Sequence, residues 1–119
     1  MRDIYERTFS FACRIVRLHR VLSRRAANRT LASQILRSGT SIGANLEEAN
    51  GASSRADFIA KTRIALKEAR ETHYWLRVLR GSAVVAEASI QPLETEANEI
   101  VAILTAIVKN TTTRPKPHS

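Results

Sequence analysis

Gly39 and Gly43 sit four residues apart inside a stretch that otherwise reads as one helix. Leu31, Ile35, Ser38, Ile42, Asn45 and Ala49 recur at alternating intervals of four and three, the spacing that lines one face of an α-helix. A glycine inside a helix weakens it by roughly 1 kcal/mol relative to alanine. A helix that keeps two of them needs its backbone very close to a neighbour: another helix, another subunit or a ligand. Ser38, Thr40, Ser41 and Ala44 add further small side chains to the same stretch, which continues to Phe58.

The rest of the chain repeats the helical pattern. A first helix over about 3–25 carries Ile4, Thr8, Phe11, Ile15, Leu18 and Leu22 in one apolar stripe, widened by Tyr5, Ala12 and Val16. After a short connection, with Asn28 or Thr30 placed to cap, the second helix spans about 29–50 and stops at Gly51. Ser54 and Asp57 have capping-box spacing and open a third helix over about 55–80, which ends at Gly81. Its seam of Phe58, Thr62, Ala65, Ala69, Thr72, Leu76 and Leu79 is unusually small in the middle. That matches the second helix and places Gly39 and Gly43 against the third.

An apolar connection, 83–86, leads to a fourth helix over about 90–109, with Ser89 as its cap and Pro92 in its first turn. Ile90, Leu93, Ala97, Ile100, Leu104 and Ile107 form its seam. Glu94, Glu96 and Glu99 lie toward its start and Lys109 at its end, as the macrodipole favours. Residues 110–119 read as a disordered basic tail. There is no internal repeat, no glycine-rich phosphate loop and no strand pattern. Four amphipathic helices with short links predict one domain, 1–109, folded as an all-α antiparallel up-down four-helix bundle. The wide apolar stripes of the first and fourth helices point to self-association.

Charge narrows the choice of partner. The chain carries 19 basic and 11 acidic residues, a net charge of +8, and 15 of the basic residues are arginine. The excess lies in residues 1–86, whereas 87–109 are net acidic. Such a balance points to a polyanion, usually nucleic acid. On the first helix Arg7, Arg14, Arg17 and Arg24 share an arc away from the apolar stripe, and Asp3 and Glu6 are too few to neutralise them by i,i+4 pairing. On the third, Arg63, Lys67, Arg70, Tyr74 and Arg77 line one outer face, four cations with an aromatic ring able to stack on a base or sugar. A solvated outer face is the plain structural reading of both rows.

Enzymatic chemistry finds little support. Glu71 precedes His73 by two residues, not the three of the Glu-x-x-His motif of carboxylate-bridged metal sites, and Tyr74 occupies the position a ligand needs. His19 lies on the apolar side of its helix, and Cys13, the single cysteine, has no histidine within helical reach on its face. No catalytic residue, metal or cofactor is assigned. No apolar run is long enough to span a membrane and no signal-peptide pattern opens the chain, so the expected compartment is the cytoplasm. Arg37, Ser41, Asn45 and Glu48 form a polar row up the second helix. With Glu68 and Glu71 facing Arg37 across the helix pair, they are expected to form a buried network that fixes register.

The segments QILRSGTSIGAN (34–45), EAN (48–50), RADFI (55–59) and ALKEARETHYWL (65–76) resemble the 23S rRNA intervening-sequence proteins, a four-helix-bundle family. That family also includes the accessory variability determinant proteins of diversity-generating retroelements. The likeness is close over the second and third helices; the outer two match in pattern, including Glu99 before an apolar run. The resemblance implies a ring-like homopentamer without catalytic residues. Its retroelement branch implies binding to nucleic acid and to a reverse transcriptase, and its intervening-sequence branch has no settled role. Arg37, Ser41, Asn45, Glu48, Glu71 and Tyr74 occupy the family's signature places. Where many members read Ile-Ala-Glu-Gly after the asparagine, this chain has Leu46, Glu47, Glu48 and Ala49.

Two functions follow as expectations. One is a non-enzymatic, oligomeric, basic bundle that binds RNA or DNA through phosphate contacts. The other is a protein-interaction scaffold with an acidic protein partner.

Overall fold

The computed structural model describes residues 2–113. It contains four α-helices, α1 (Arg2–Leu22), α2 (Arg29–Asn50), α3 (Arg55–Gly81) and α4 (Glu87–Thr113), and no strand among the described residues. The main packing partners are α1 with α2, α2 with α3, and α3 with α4, and a smaller contact joins α1 to α4. The core runs through all four: Phe11, Ile15, Ile35, Ile42, Leu46, Leu76, Leu79, Ile100 and Leu104 are at most 1 % exposed. Burying each large side chain contributes about 1.5–3 kcal/mol against leaving it in water.

Gly39 does not meet α3. A methyl group built on it would lie 2.8 Å from Ile15 Cγ2 and 2.9 Å from Ile15 Cγ1, both in α1. Gly43 also faces α1, where an added Cβ would be 3.5 Å from the carbonyl oxygen of Thr8. The expectation that both pack on α3 is therefore corrected. The reason is angular: the core residues of α2 face between its two neighbours, and a shift of one position, from Ser38 to Gly39, moves the contact around the helix by about 100°. Ser38 is the residue that meets α3, where Thr72 Oγ1 donates to its Oγ at 2.9 Å in the buried interface. Thr72 and Ser38 also bond back to Glu68 O and Gln34 O, four residues earlier in their own helices. The small α3 seam at Thr62, Ala65, Ala69 and Thr72 is fully buried.

Helix ends depart from the pattern in three places. α1 stops at Leu22, not near 25, because Ser23, Arg24 and Arg25 contribute nothing to the core. A single 3-10 turn, Ala26–Asn28, also without a buried residue, bridges to α2. Asn28 precedes α2 but its side chain makes no capping hydrogen bond. By contrast, the Ser54 side chain accepts from the Asp57 N–H at 3.1 Å, as the capping spacing predicts.

α3 runs through Gly81 and ends one residue later at Ser82. The left-handed position that follows is taken by Ala83, at φ 55°, so the glycine lies two residues before the place where its freedom would be used. Of the apolar connection 83–86, only Val85 packs on the core, and Val84 is exposed.

α4 begins at Glu87, three residues before the expected start, so Ser89 lies inside its first turn and does not cap it. Pro92 sits early enough in the helix that only one intrahelical bond is lost, at the exposed Ala88. The same helix continues past 109 to Thr113, held by Thr111 Oγ1 and Thr112 Oγ1 bonding Ile107 O and Val108 O, and by the Arg55 guanidinium on Thr111 O. Residues 110–113 are therefore helix, not tail; the remainder of the predicted tail lies outside the described residues.

The two glycines should behave oppositely. Gly39→Ala is expected to destabilise by about 1–2 kcal/mol through overpacking against Ile15. Gly43→Ala, which meets only ordinary van der Waals contacts, is expected to gain up to about 1 kcal/mol from helix propensity. Urea denaturation of both variants checks this, and equal effects would contradict the assignment of Gly39 as the close-approach position.

Candidate nucleic-acid interface

The eight predicted cations divide according to what their helices place beside them. Arg7 is taken up in a clamp. Its Nε donates to Glu96 Oε2 at 3.0 Å and its Nη2 to Glu96 Oε1 and Glu99 Oε1, each at 2.7 Å, so α1 is fastened to α4. The hydrogen bond with Glu96 is the largest influence holding this guanidinium charged even more firmly than usual, and Glu99 adds to it. The α1 acids are indeed too few to neutralise Arg7; acids 89 and 92 residues away do it instead. Arg24 lies beyond the end of α1, off the helical arc that grouped it with the others. Arg14 is half-buried and Arg17 exposed. The arginine row of α1 is thus broken up.

Arg63, Lys67, Arg70, Tyr74 and Arg77 of α3 are all exposed, and none of the four cations closes an ion pair among the described residues, although Glu94 lies near enough to feel the charge of Arg77. Arg63, Lys67 and Arg70 line a shallow groove of about 350 Å³ floored by Leu66 and by Val108 of α4. Tyr74 is 53 % exposed and meets Trp75 edge-on, with ring centroids 5.2 Å apart and an interplanar angle of 64°. About half of the residue thus stays exposed to solvent beside the neighbouring indole. A groove with cations on its rim and apolar atoms on its floor suits a phosphate chain with its sugars.

The predicted polar network is real in one half only. Arg37 donates through Nη1 to Glu68 Oε1 at 3.2 Å and through Nη2 to Glu71 Oε2, and it also binds Gln34 Oε1. Trp75 Nε1 donates to the same Glu71 oxygen at 2.9 Å, a member that the row reading missed. Trp75 follows Glu71 by four, which was the available signal. Ser41 and Asn45 do not join. Their side chains bond back to Arg37 O and Ser41 O of their own helix at 2.6 and 2.9 Å, the local competition that short polar side chains offer. Glu48 points instead to Lys61 Nζ, 2.9 Å away, a second α2–α3 tie that raises the lysine pKa chiefly through that hydrogen bond. The network is also not buried: the Arg37 side chain is 48 % exposed, and only Glu68, at 10 %, is largely shielded.

A third charged tie fastens α3 to α4. Arg80 grips Glu94 with two hydrogen bonds, of 2.7 and 3.0 Å. His19 stays within α1, its Nε2 3.3 Å from Ser23 Oγ, and Cys13 is a half-buried free thiol. Among the described residues no group of three or more His, Cys, Asp or Glu side chains is placed to hold a metal ion, and no helix is long and apolar enough to cross a membrane.

Residues 2–106 match the family described as 23S rRNA-intervening sequence protein. The chain belongs to that family. A crystal structure of a protein of unknown function from the S23 ribosomal protein family of Bacteroides thetaiotaomicron shares 43 % sequence identity, with a TM-score of 0.85. The alignment covers 89 % of this chain and 98 % of that one. Comparison with curated proteins finds no match. The α2–α3 contacts give Arg37 and Glu71 a structural role, with Glu68 as a further partner, whereas the Tyr74 side chain makes no polar contact among the described residues.

Glu94 gives a test of the α3–α4 tie. The Arg80 hydrogen bonds hold its carboxyl below the usual range, with burial pulling the other way. A carboxyl whose pKa is depressed on folding contributes stability that is present above its unfolded value, near 4.3 or so, and is lost as pH falls through the folded value. Glu94→Gln should therefore lower the melting temperature at neutral pH, and the gap to the parent protein should narrow as pH drops toward about 3. A gap independent of pH would mean that the Arg80–Glu94 pair does not contribute in this way.

Proposed function

We propose that this protein is a non-enzymatic, oligomeric, nucleic-acid-binding bundle that grips RNA or DNA through phosphate contacts along α3. The observation that carries this is the exposed row of Arg63, Lys67, Arg70 and Arg77, none of them closing an ion pair among the described residues, the first three lining a shallow groove, in a chain whose Arg7, Arg37 and Arg80 are each tied to carboxylates. Ion pairs at the helix seams leave the α3 row basic, and the exposed Arg17, Arg20, Arg24 and Arg25 near the end of α1 are basic too. Phosphate contacts carry no base information, so binding is expected to be weakly sequence-selective and steeply salt-dependent. Tyr74 supplies the stacking element for an unpaired base.

The arrangement we propose is an antiparallel up-down bundle. Partner numbers run in opposite senses along α2 and α3, Arg37 pairing with Glu71 and Glu48 with Lys61. By family resemblance the bundle assembles as a ring-like homopentamer. It acts in the cytoplasm, with no cofactor, as an accessory factor to a reverse transcriptase if it follows the retroelement branch.

Fluorescence anisotropy on a labelled oligonucleotide tests the central reading. Changing Arg63, Lys67, Arg70 and Arg77 together to Gln should abolish binding near physiological salt. At low salt it should flatten the slope of log affinity against log salt by about 3–4 for duplex DNA. No binding by the parent protein at low salt, or an unchanged slope in the variant, would overturn it. Light scattering is expected to return five times the 13.3 kDa chain mass; a monomer would overturn the assembly.

A further inference from the structure

Gly43 has no internal reason to be glycine. The Cβ it lacks would make only ordinary contacts with Thr8, at 3.5 Å, so α1 and α2 do not need the space, unlike at Gly39. Yet a glycine within a helix costs about 1 kcal/mol. Gly43 forms part of a groove of about 240 Å³ between α1 and α2, with Ala12, Thr40 and Ala44 as its small neighbours. Phe9, the most exposed large apolar residue at 69 %, stands over it. The apolar surface continues along α1 to Val16, seven residues on and 39 % exposed.

Charge sets this groove apart from the rest of the molecule. In a chain of net charge +8, the groove is lined by Glu47 and the adjoining hollow of about 550 Å³ by Glu47 and Glu6, with no cation among the described residues that line them. Glu47 lies close enough to Tyr5 at the rim to help raise the phenol pKa, after burial as the larger cause. Nucleic acid is repelled by such a lining. A cationic partner is attracted, and small residues beside an exposed aromatic are what let a helix lie close on a two-helix surface.

We propose that the α1–α2 groove is a docking site for a basic amphipathic helix of a partner protein, which lays its apolar face over Gly43 and Phe9 and turns its cations toward Glu47. The site uses none of Arg63, Lys67, Arg70 or Arg77, so it stands or falls separately from the nucleic-acid reading. Together the two surfaces would let one protein hold a nucleic acid on α3 and a basic protein on α1–α2.

The test uses the full-length protein and two labelled synthetic helical peptides of about 18 residues, with leucine at i, i+3, i+4 and i+7 and either lysine or glutamate elsewhere. Net charge alone would favour the glutamate peptide, so preference for lysine is diagnostic. The lysine peptide should bind at least about tenfold tighter by anisotropy. Gly43→Leu, which fills the groove floor, should weaken it by about tenfold or more and leave oligonucleotide binding unchanged. Phe9→Ser, at an exposed site that does not hold the fold, should weaken it likewise if Gly43→Leu misfolds. Glu47→Lys should narrow or reverse the preference between peptides. Equal binding of the two peptides overturns the proposal, as does lysine-peptide binding indifferent to both groove variants. A change in light-scattering mass on filling the groove, without loss of peptide binding, assigns the face to a second copy of this chain and also overturns it.

Discussion

The approach of α2 to α1 at Gly39 is the contact on which the rest of the bundle is hung. With Ile15 filling the space a side chain would occupy, α2 is drawn to one neighbour at a distance that only glycine permits. One residue earlier, Ser38 reaches the other neighbour through Thr72. Two adjacent positions thus set α2 between α1 and α3, one by removing atoms and the other by joining hydroxyls. The pair leaves no buried side-chain polar atom without a partner among the described residues. The ties from Arg37 to Glu68 and Glu71 act on a frame already set by these smaller residues.

Charge has two roles in this bundle, and position along the helices separates them. Where a cation faces a neighbouring helix that carries an acid, it becomes a tie: Arg37 and Lys61 join α2 to α3, Arg80 joins α3 to α4, and Arg7 joins α1 to α4. These pairs are partly exposed, and such pairs usually contribute modestly to stability. Their larger effect is on the surface potential, because they cancel charge at the seams and leave it standing on the outer face of α3 and around the end of α1. The acidic bias of residues 87–109 has its explanation here: Glu94, Glu96 and Glu99 are the counterions of α1 and α3.

Helix number, type and seams were legible in the amino-acid sequence because the four-three rhythm reports burial directly: most seam residues named from it are buried, and Leu18, Leu31, Asn45, Phe58 and Ile107 are partly so. The α3 cation row was legible for the same reason. What periodicity does not report is which neighbour a buried position meets, so Gly39 and Gly43 were read toward α3 when they face α1. Nor does it report partners from distant segments, so Arg7 was counted with the outward arginines although Glu96 and Glu99 had claimed it. Ser41 and Asn45 show a third limit. A short polar side chain on a helix has its own backbone within reach, and a row of them need not be a network. The bounds of α1 and α4 were misplaced for local reasons: α1 ends where its core contacts end, and α4 starts at Glu87, before the expected Ser89 cap, and runs to Thr113.

The clamp at Arg7 has a consequence for how the chain reaches its fold. Contacts between successive helices close loops of modest length and can form as each pair becomes available. Arg7 reaches across 89 and 92 residues to join the first helix to the last, and no shorter path makes that contact. A chain emerging in order from the ribosome can assemble α1, α2 and α3 while Arg7 still faces water. It acquires its carboxylates only when α4 arrives. The acid-rich start of α4 thus serves as the latch of the bundle, and completing the fold and neutralising Arg7 become a single event.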